Sequence, residues 1–220
     1  SDEETPILIT DTALNACIES QMKESNWVKY SEVTTLYCRD MDISDATGIQ
    51  NFSLLSILDL SGNGLTDIDI SQNTELTRLY LGWNGLTKID LTKNSKLQAL
   101  DVTNSPLTTI DVSKNTDLRT LWMWQCELTT IDLSNNIKLS SLDLSSNNLD
   151  SIDLSNNTNL KWLYLSSNHL ESIDVSNMPS LIHLALRGNH SFVVDFSHNL
   201  KLEFLSFEVY IFLNFSLLKI

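Results

Sequence analysis

The sequence predicts an α/β solenoid, a curved right-handed stack of about nine 21-residue rungs with a parallel concave β-sheet and an N-terminal helical cap. A Leu-x-Leu pair recurs every 21 residues, an Asn follows most pairs at a fixed distance, and an amphipathic segment precedes the first pair. The pairs are Leu58/Leu60, Leu79/Leu81, Leu100/Val102, Leu121/Met123, Leu142/Leu144, Leu163/Leu165 and Leu184/Leu186, with Leu205/Phe207 after them and Leu36/Cys38 one 22-residue step before them.

Each rung follows the template L-x-x-L-x-L-x-x-N-x-L of a leucine-rich repeat, in which a short strand joins the sheet and a return segment closes the turn. One rung cannot bury its own apolar side, so stacked rungs share a core. The residues of one unit predicted to point inward are Leu97, Leu100, Val102, Leu107, Ile110, Val112 and Leu118. The Asn position is predicted to bond the backbone of its own turn and of the next rung. Its occupants are Asn63, Asn84, Ser105, Cys126, Asn147, Asn168 and Asn189.

The predicted domain organisation is a single array with a cap at each end. Residues 1–9 are expected to be disordered or extended, 10–35 to form a helical cap, 36–207 to form the repeats, and 208–220 to form a degenerate C-terminal rung. In the cap, Thr10 or Asp11 is the expected N-cap residue. One helical face would carry Leu14, Cys17, Ile18 and Met22. The alternative for the apolar C-terminus is an uncapped end that self-associates or continues into further sequence.

Composition excludes several classes of function. The net charge of −14 argues against nucleic acid and against an anionic membrane surface. No apolar stretch reaches the ~20 residues of a membrane helix, so we predict no membrane insertion. The first residues, SDEETP, are acidic and lack a starting Met, so we expect that any signal peptide has been removed or is not included in this sequence.

The three cysteines leave two alternatives open. Cys126 occupies an Asn position and is predicted to be buried and unpaired. Cys17 on the cap and Cys38 on the first strand are expected to be neighbours, and we favour two buried free thiols over a disulfide. No spacing resembles a zinc site or a Cys-x-x-Cys redox motif.

A file of aspartates recurs on the return segments, each followed two residues later by Ser or Thr. We favour a structural role in which each carboxylate accepts a backbone N–H bond in its own turn. The alternative, calcium bridging between rungs, lacks a glycine-containing calcium loop, so we predict neither metal nor cofactor. The aspartates are Asp69, Asp90, Asp111, Asp132, Asp153, Asp174 and Asp195.

The 21-residue return "LTxIDLSxN" and the stretch "ISDATGIQNFSLLSILDLSGNGLTDIDIS" at residues 43–71 resemble bacterial internalin-type leucine-rich repeat proteins. The similarity is to the branch with 21-residue repeats, in which a cysteine often replaces the second Leu of the pair. Cys38 stands at such a position, whereas the following rungs do not continue a cysteine ladder. The resemblance implies a secreted or surface-attached protein that binds host or cell-surface molecules through its concave sheet.

Side chains alternate along a strand, so the residues that flank the leucines are predicted to face the concave surface. Aromatic and aspartate residues alternate between the paired leucines through seven rungs. Exposed Trp, Tyr and Arg are typical of binding hot spots, although aromatic pairs that only stabilise the sheet are an alternative. The predicted ligand-binding residues are Tyr37, Asp59, Arg78, Tyr80, Trp83, Asp101, Trp122, Trp124, Asp143, Trp162, Tyr164, His183 and Arg187.

We therefore expect a secreted or cell-surface recognition protein, active in adhesion to host or neighbouring cells, that works as a monomer. A protein ligand is favoured, because the predicted surface spans roughly 38 Å. A glycan stacked on the rings is the alternative. Asp101 and Asp143 would lie roughly 10 Å apart, near the separation in inverting glycosidases. An open sheet excludes no water, however, so we predict that the protein is not an enzyme.

Overall fold

Nine short strands form one parallel sheet in the computed structural model, which describes residues 7–207. The strands lie in chain order, and each residue pairs with its counterpart in the next strand, as Leu58 does with Leu79. Nine consecutive strands bound eight turns of chain, so the predicted leucine-rich repeat solenoid is confirmed. The strands are β1 (Thr35–Tyr37), β2 (Ile57–Asp59), β3 (Arg78–Tyr80), β4 (Ala99–Asp101), β5 (Thr120–Trp122), β6 (Ser141–Asp143), β7 (Trp162–Tyr164), β8 (His183–Ala185) and β9 (Phe204–Ser206).

The shared core is built from the middle residue of each strand and the apolar residue two positions later. Leu121 and Met123 of one rung, for example, are completely buried. Six of the seven inward positions predicted for the unit around β4 are buried as well. The seventh, Ile110, packs against the core but is partly exposed. The residues before and after each middle residue are thereby directed to the concave face, because side chains alternate along a strand.

Where an Asn follows a strand, it joins two rungs, as predicted, but its partner is the preceding rung rather than the next. Asn84 donates Nδ2–H bonds to the carbonyls of Leu60 at 3.0 Å and Leu81 at 2.9 Å. Its Oδ1 accepts the N–H of Leu65 at 3.0 Å. The side chain reaches backwards because the free carbonyls and N–H groups of the preceding turn lie beside it. Buried polar groups of two rungs are thereby satisfied together.

A second row of buried asparagines lies in the return segments and was not predicted. Asn94 donates to the carbonyls of Ile70 at 3.1 Å and Asn73 at 2.9 Å, which are 24 and 21 residues earlier. The same two bonds recur at six positions and link the convex sides of neighbouring rungs, whereas Met178 stands at the position between Asn157 and Asn199. The row consists of Asn73, Asn94, Asn115, Asn136, Asn157 and Asn199.

One α-helix, α1 (Thr12–Glu24), covers the N-terminal end of the stack. Asp11 is its N-cap residue and accepts the N–H groups of Ala13 and Leu14 at 3.0 Å. Leu14, Cys17 and Ile18 are buried, and Met22 is partly buried against the core. Gln21 of α1 bonds both the carbonyl and the N–H of Tyr37, which satisfies the outer edge of β1. Two 3₁₀ helices follow, Tyr30–Glu32 and Ile49–Asn51.

A disulfide joins α1 to the first rung. Cys17 and Cys38 have their sulfur atoms 2.02 Å apart and their Cα atoms 5.9 Å apart. The favoured prediction of two free thiols was therefore wrong, because the helix packs with Cys17 directly against the end of β1. Cys126 is buried and free, as predicted.

The predictions for the first six residues and for the C-terminal rung at 208–220, including self-association through that end, lie outside the described residues. Residues 7–9 have no regular secondary structure. Between residues 7 and 207, no helix is both long and apolar enough to span a membrane.

Candidate ligand-binding surface

Three rows of side chains run across the concave sheet, and we name them by their place around the buried leucines. The front row precedes the first Leu of each pair, the middle row lies between the two, and the rear row follows the second. Strand register sets neighbours within a row side by side, as Trp122 lies beside Asp101 and Asp143. Backbone hydrogen bonds continue past the strands, as from the Asn104 N–H to the Trp124 carbonyl at 2.8 Å, and keep the rear row in register.

Large aromatic side chains on this surface are exposed to solvent. Trp83, Trp122 and Trp162 are 53%, 41% and 37% exposed, and Tyr37 is exposed as well. Tyr80, Trp124, Tyr164 and His183 are half-buried, whereas Arg78 and Arg187 are exposed. These exposed rings indicate a role other than folding, because the same positions carry Ser, Thr, Gly or Asn in other rungs. The structure thus brings twelve of the thirteen predicted residues to an accessible position, and the exception is Asp59, with 7% exposure.

The exposed rings follow a diagonal course across the sheet, which we call the aromatic diagonal. It starts behind β3 at Trp83, whose ring centroid lies 6.0 Å from that of Trp124. It continues through Trp122, whose indole N–H donates to Ser141 Oγ on the neighbouring strand at 3.3 Å. It ends in the front row at Trp162 and at His183, which stacks on Phe204 at 5.4 Å. Phe204 was missing from the predicted site, although it lies 21 residues after His183 in the same row.

Trp83 holds an unusual backbone conformation. It occupies the turn position after the rear row, where every rung from β1 to β8 has a positive φ. Gly, Asn and Asp accept that left-handed region readily, but a bulky residue there is an outlier with a cost on the order of 1–2 kcal/mol. The φ of Trp83 is 59°. The occupants of this position are Asp40, Gly62, Trp83, Asn104, Gln125, Ser146, Ser167 and Gly188.

The middle-row aspartates have a structural role that was not predicted. Asp59, Asp101 and Asp143 each accept, through Oδ1, the N–H of the residue two positions later at 2.9–3.0 Å. This is the Asx turn that Asp and Asn favour at the end of a strand. Burial raises the pKa of the Asp143 carboxyl, and the charge of Asp101 acts in the same direction. The second carboxylate oxygen of each aspartate is not needed for the turn.

On the convex side, the aspartate file makes the turns predicted for it. Each of the seven carboxylates accepts the N–H of the Ser or Thr two positions later at 2.8–3.0 Å. Hydrogen bonds from the backbone N–H and the side-chain hydroxyl of that Ser or Thr lower the pKa of these carboxyls. Within residues 7–207 no group of three or more His, Cys, Asp or Glu is placed to hold a metal ion. The absence of a metal or cofactor from the whole protein stays a prediction.

Comparison with known proteins identifies the repeats. A family model described as Leucine Rich Repeat matches residues 159–181, and a second, described as Leucine Rich repeat, matches residues 53–71 and 135–155. No curated protein matches the chain by sequence.

Solved structures share the fold over most of this chain. Internalin C2 from Listeria monocytogenes is similar with a TM-score of 0.82 and 21% identity, over 94% of this chain and 99% of that one. An internalin, inlF, from the same species gives 0.68 and 22%, over 89% of this chain and 68% of that one. A leucine-rich repeat protein of Leptospira interrogans gives 0.72 and 24%, over 81% of this chain and only 50% of that one. This chain therefore spans half the length of the Leptospira protein.

Proposed function

Since the chain has the internalin-type leucine-rich repeat fold, we propose that it is an extracellular or cell-surface recognition module that binds a protein ligand through its concave face. Stacked repeats create the extended concave surfaces that such arrays use for binding. Adhesion to host or neighbouring cells is the activity we infer for it.

Trp83, Trp122 and Trp162 are exposed together on one face, and this exposure supports a binding role. An exposed indole gains little from folding, and Trp83 in addition retains a strained backbone. Other rungs show that Ser, Gly or Asn satisfies the same positions. Trp and Tyr dominate the binding energy at protein interfaces. A binding role therefore explains these exposed side chains, whereas packing within the fold does not.

The size and charge of the surface favour a folded protein with a basic face. Eight spacings between nine strands extend over roughly 38 Å, the scale of a standard protein interface rather than of a small ligand. The net charge of −14 attracts a basic partner and accelerates encounter. A location outside the cytoplasm is supported by the Cys17–Cys38 disulfide, since such bonds persist in oxidising compartments.

The test compares the native chain with Trp122→Ser/Trp162→Ser. Both are immobilised, exposed to extracts of host-cell surfaces and to a glycan array, and the captured protein is then titrated against each. We expect the variant to lose at least about tenfold in affinity, because exposed Trp anchors contribute a large share of binding energy.

The control is Ile137→Ser, which removes an exposed apolar side chain, 53% exposed, from a return segment away from the sheet. It should bind like the native chain. Equal binding by native chain and double variant would contradict the proposal. Glycan binding that the double variant loses, without protein binding, would assign the surface to a glycan instead.

A further inference from the structure

The middle row contains three carboxylates that each lie between two aromatic residues. Strand register places Asp59 between Tyr37 and Tyr80, and Asp101 between Tyr80 and Trp122. Asp143 lies likewise between Trp122 and Tyr164. Neighbouring strands are about 4.8 Å apart, so the two flanking residues of each carboxylate are separated by about 10 Å. A cationic group fits between two rings at that separation.

The three carboxylates differ in the rear-row residue of the preceding rung. For Asp59 this residue is Arg39, whose Nε lies 3.6 Å from Asp59 Oδ2. For Asp143 it is Trp124, a bulky residue, and burial raises the pKa of the Asp143 carboxyl. For Asp101 it is Gly82. A Cβ at Gly82 would lie 3.1 Å from Asp101 Oδ1 and 3.3 Å from Oδ2, so this position points at the carboxylate.

The rear-row position beside Asp59 is therefore filled by a cationic side chain, whereas the equivalent position beside Asp101 is empty. Arg39 places a guanidinium against Asp59. Gly82 has no side chain, so no rear-row group fills the equivalent space at Asp101. Among the described residues, Asp101 receives only the N–H of Thr103, at 2.9 Å, and its second oxygen accepts no hydrogen bond.

We propose that the space bounded by Tyr80, Asp101, Trp122 and Gly82 binds an arginine side chain of the protein ligand. The guanidinium repeats the contact of Arg39 with Asp59, makes charge-assisted hydrogen bonds to Asp101, and lies against the aromatic faces on either side. This assignment rests on the proposed function, because it names the chemistry of one anchor on the same surface. The positive charge of an arginine is also complementary to the negative net charge of the whole chain.

A titration with N-acetyl-arginine methylamide, followed by NMR, tests the space without the protein ligand. We expect saturable shifts of the Gly82 and Thr103 amides and of the Trp122 indole N–H. The citrulline analogue, which has the same shape without the charge, should cause none. Asp101→Asn keeps an oxygen for the Asx turn but removes the charge, and should weaken arginine binding by about tenfold or more.

A second variant, Gly82→Arg, should fill the space from within and abolish the shifts of the Thr103 amide and the Trp122 indole N–H. The Asp101 carboxylate must move by a few tenths of an ångström to admit its Cβ. Ser166→Arg is the matched control, since it adds the same charge to the rear row beside Ala185 rather than beside a carboxylate. It should bind arginine like the native chain.

Two outcomes overturn the assignment: no saturable shift in the native chain, or the same shifts with citrulline or in Asp101→Asn. Failure here is distinct from failure of the proposed function. Loss of the protein ligand in Trp122→Ser/Trp162→Ser together with a negative titration would leave the concave interface standing and refute only the arginine anchor.

Discussion

Reduction of the Cys17–Cys38 disulfide is expected to lower the free energy of unfolding by about 3 kcal/mol. The bond closes a 21-residue loop between α1 and the first rung. Its loss restores conformational freedom to the unfolded chain and frees the helix to leave the apolar end that it covers. Leu14 and Ile18, which have no exposed surface in the fold, would then meet water.

The measurement is urea unfolding of the native chain with and without reductant, beside Cys17→Ser/Cys38→Ser. The double variant should match the reduced protein and no longer respond to reductant. Cys126→Ser is the control. Because Cys126 is free, its replacement should leave the response to reductant intact. Denatured protein should contain one reactive thiol before reduction and three after it. Three thiols before reduction, or unchanged stability on reduction, would contradict the disulfide.

Replacement of Asn147 by Ala is expected to cost about 3 kcal/mol of stability, since several buried polar groups lose their partner at once. Its Nδ2 donates to the carbonyls of Met123 at 2.8 Å and Leu144 at 2.9 Å. Its Oδ1 accepts the N–H of Leu128 at 3.0 Å. The side chain is almost fully buried, so water does not replace these bonds in the folded state.

The neighbouring Asn148 provides a matched control, because its side chain is exposed. Asn148→Ala should change the midpoint of urea unfolding very little, whereas Asn147→Ala should shift it strongly. If the two variants were equally stable, the amide would not be what joins the rungs.

The 21-residue period is sufficient to predict the strands, the core positions and the turns of the convex aspartates. The period places Leu79, Leu100 and their counterparts in the core, because one side of each rung must be buried. It also predicts the Asx turns of the convex aspartates, since that turn is formed within three residues of chain. The row around Asn94 and Asn115 was equally regular in the sequence and was overlooked, although a buried amide at a fixed period was the available signal.

Features that depend on packing between rungs were not predictable in the same way. The pairing of Cys17 with Cys38 depends on where α1 settles against β1. The ion pair of Asp59 depends on Arg39 in another rung, and the open space at Asp101 depends on the missing side chain of Gly82. The left-handed backbone of Trp83 follows from its place in the turn. A Trp gives no reason to expect a positive φ, so the residue type alone does not predict it.

We propose that the concave indoles bind a ligand and are not needed for packing. Trp83→Asn separates these two roles, because Asn104 holds the same turn position one rung later and Asn accepts a positive φ. The variant removes the packing of the Trp83 ring against Trp124 but also relieves the backbone strain, so we expect stability to change by no more than about 1 kcal/mol. The measurement is the affinity of this variant for the protein captured by the native chain. A loss of about tenfold or more at nearly unchanged stability is the expected result. A loss of several kcal/mol in stability with unchanged affinity would contradict the account.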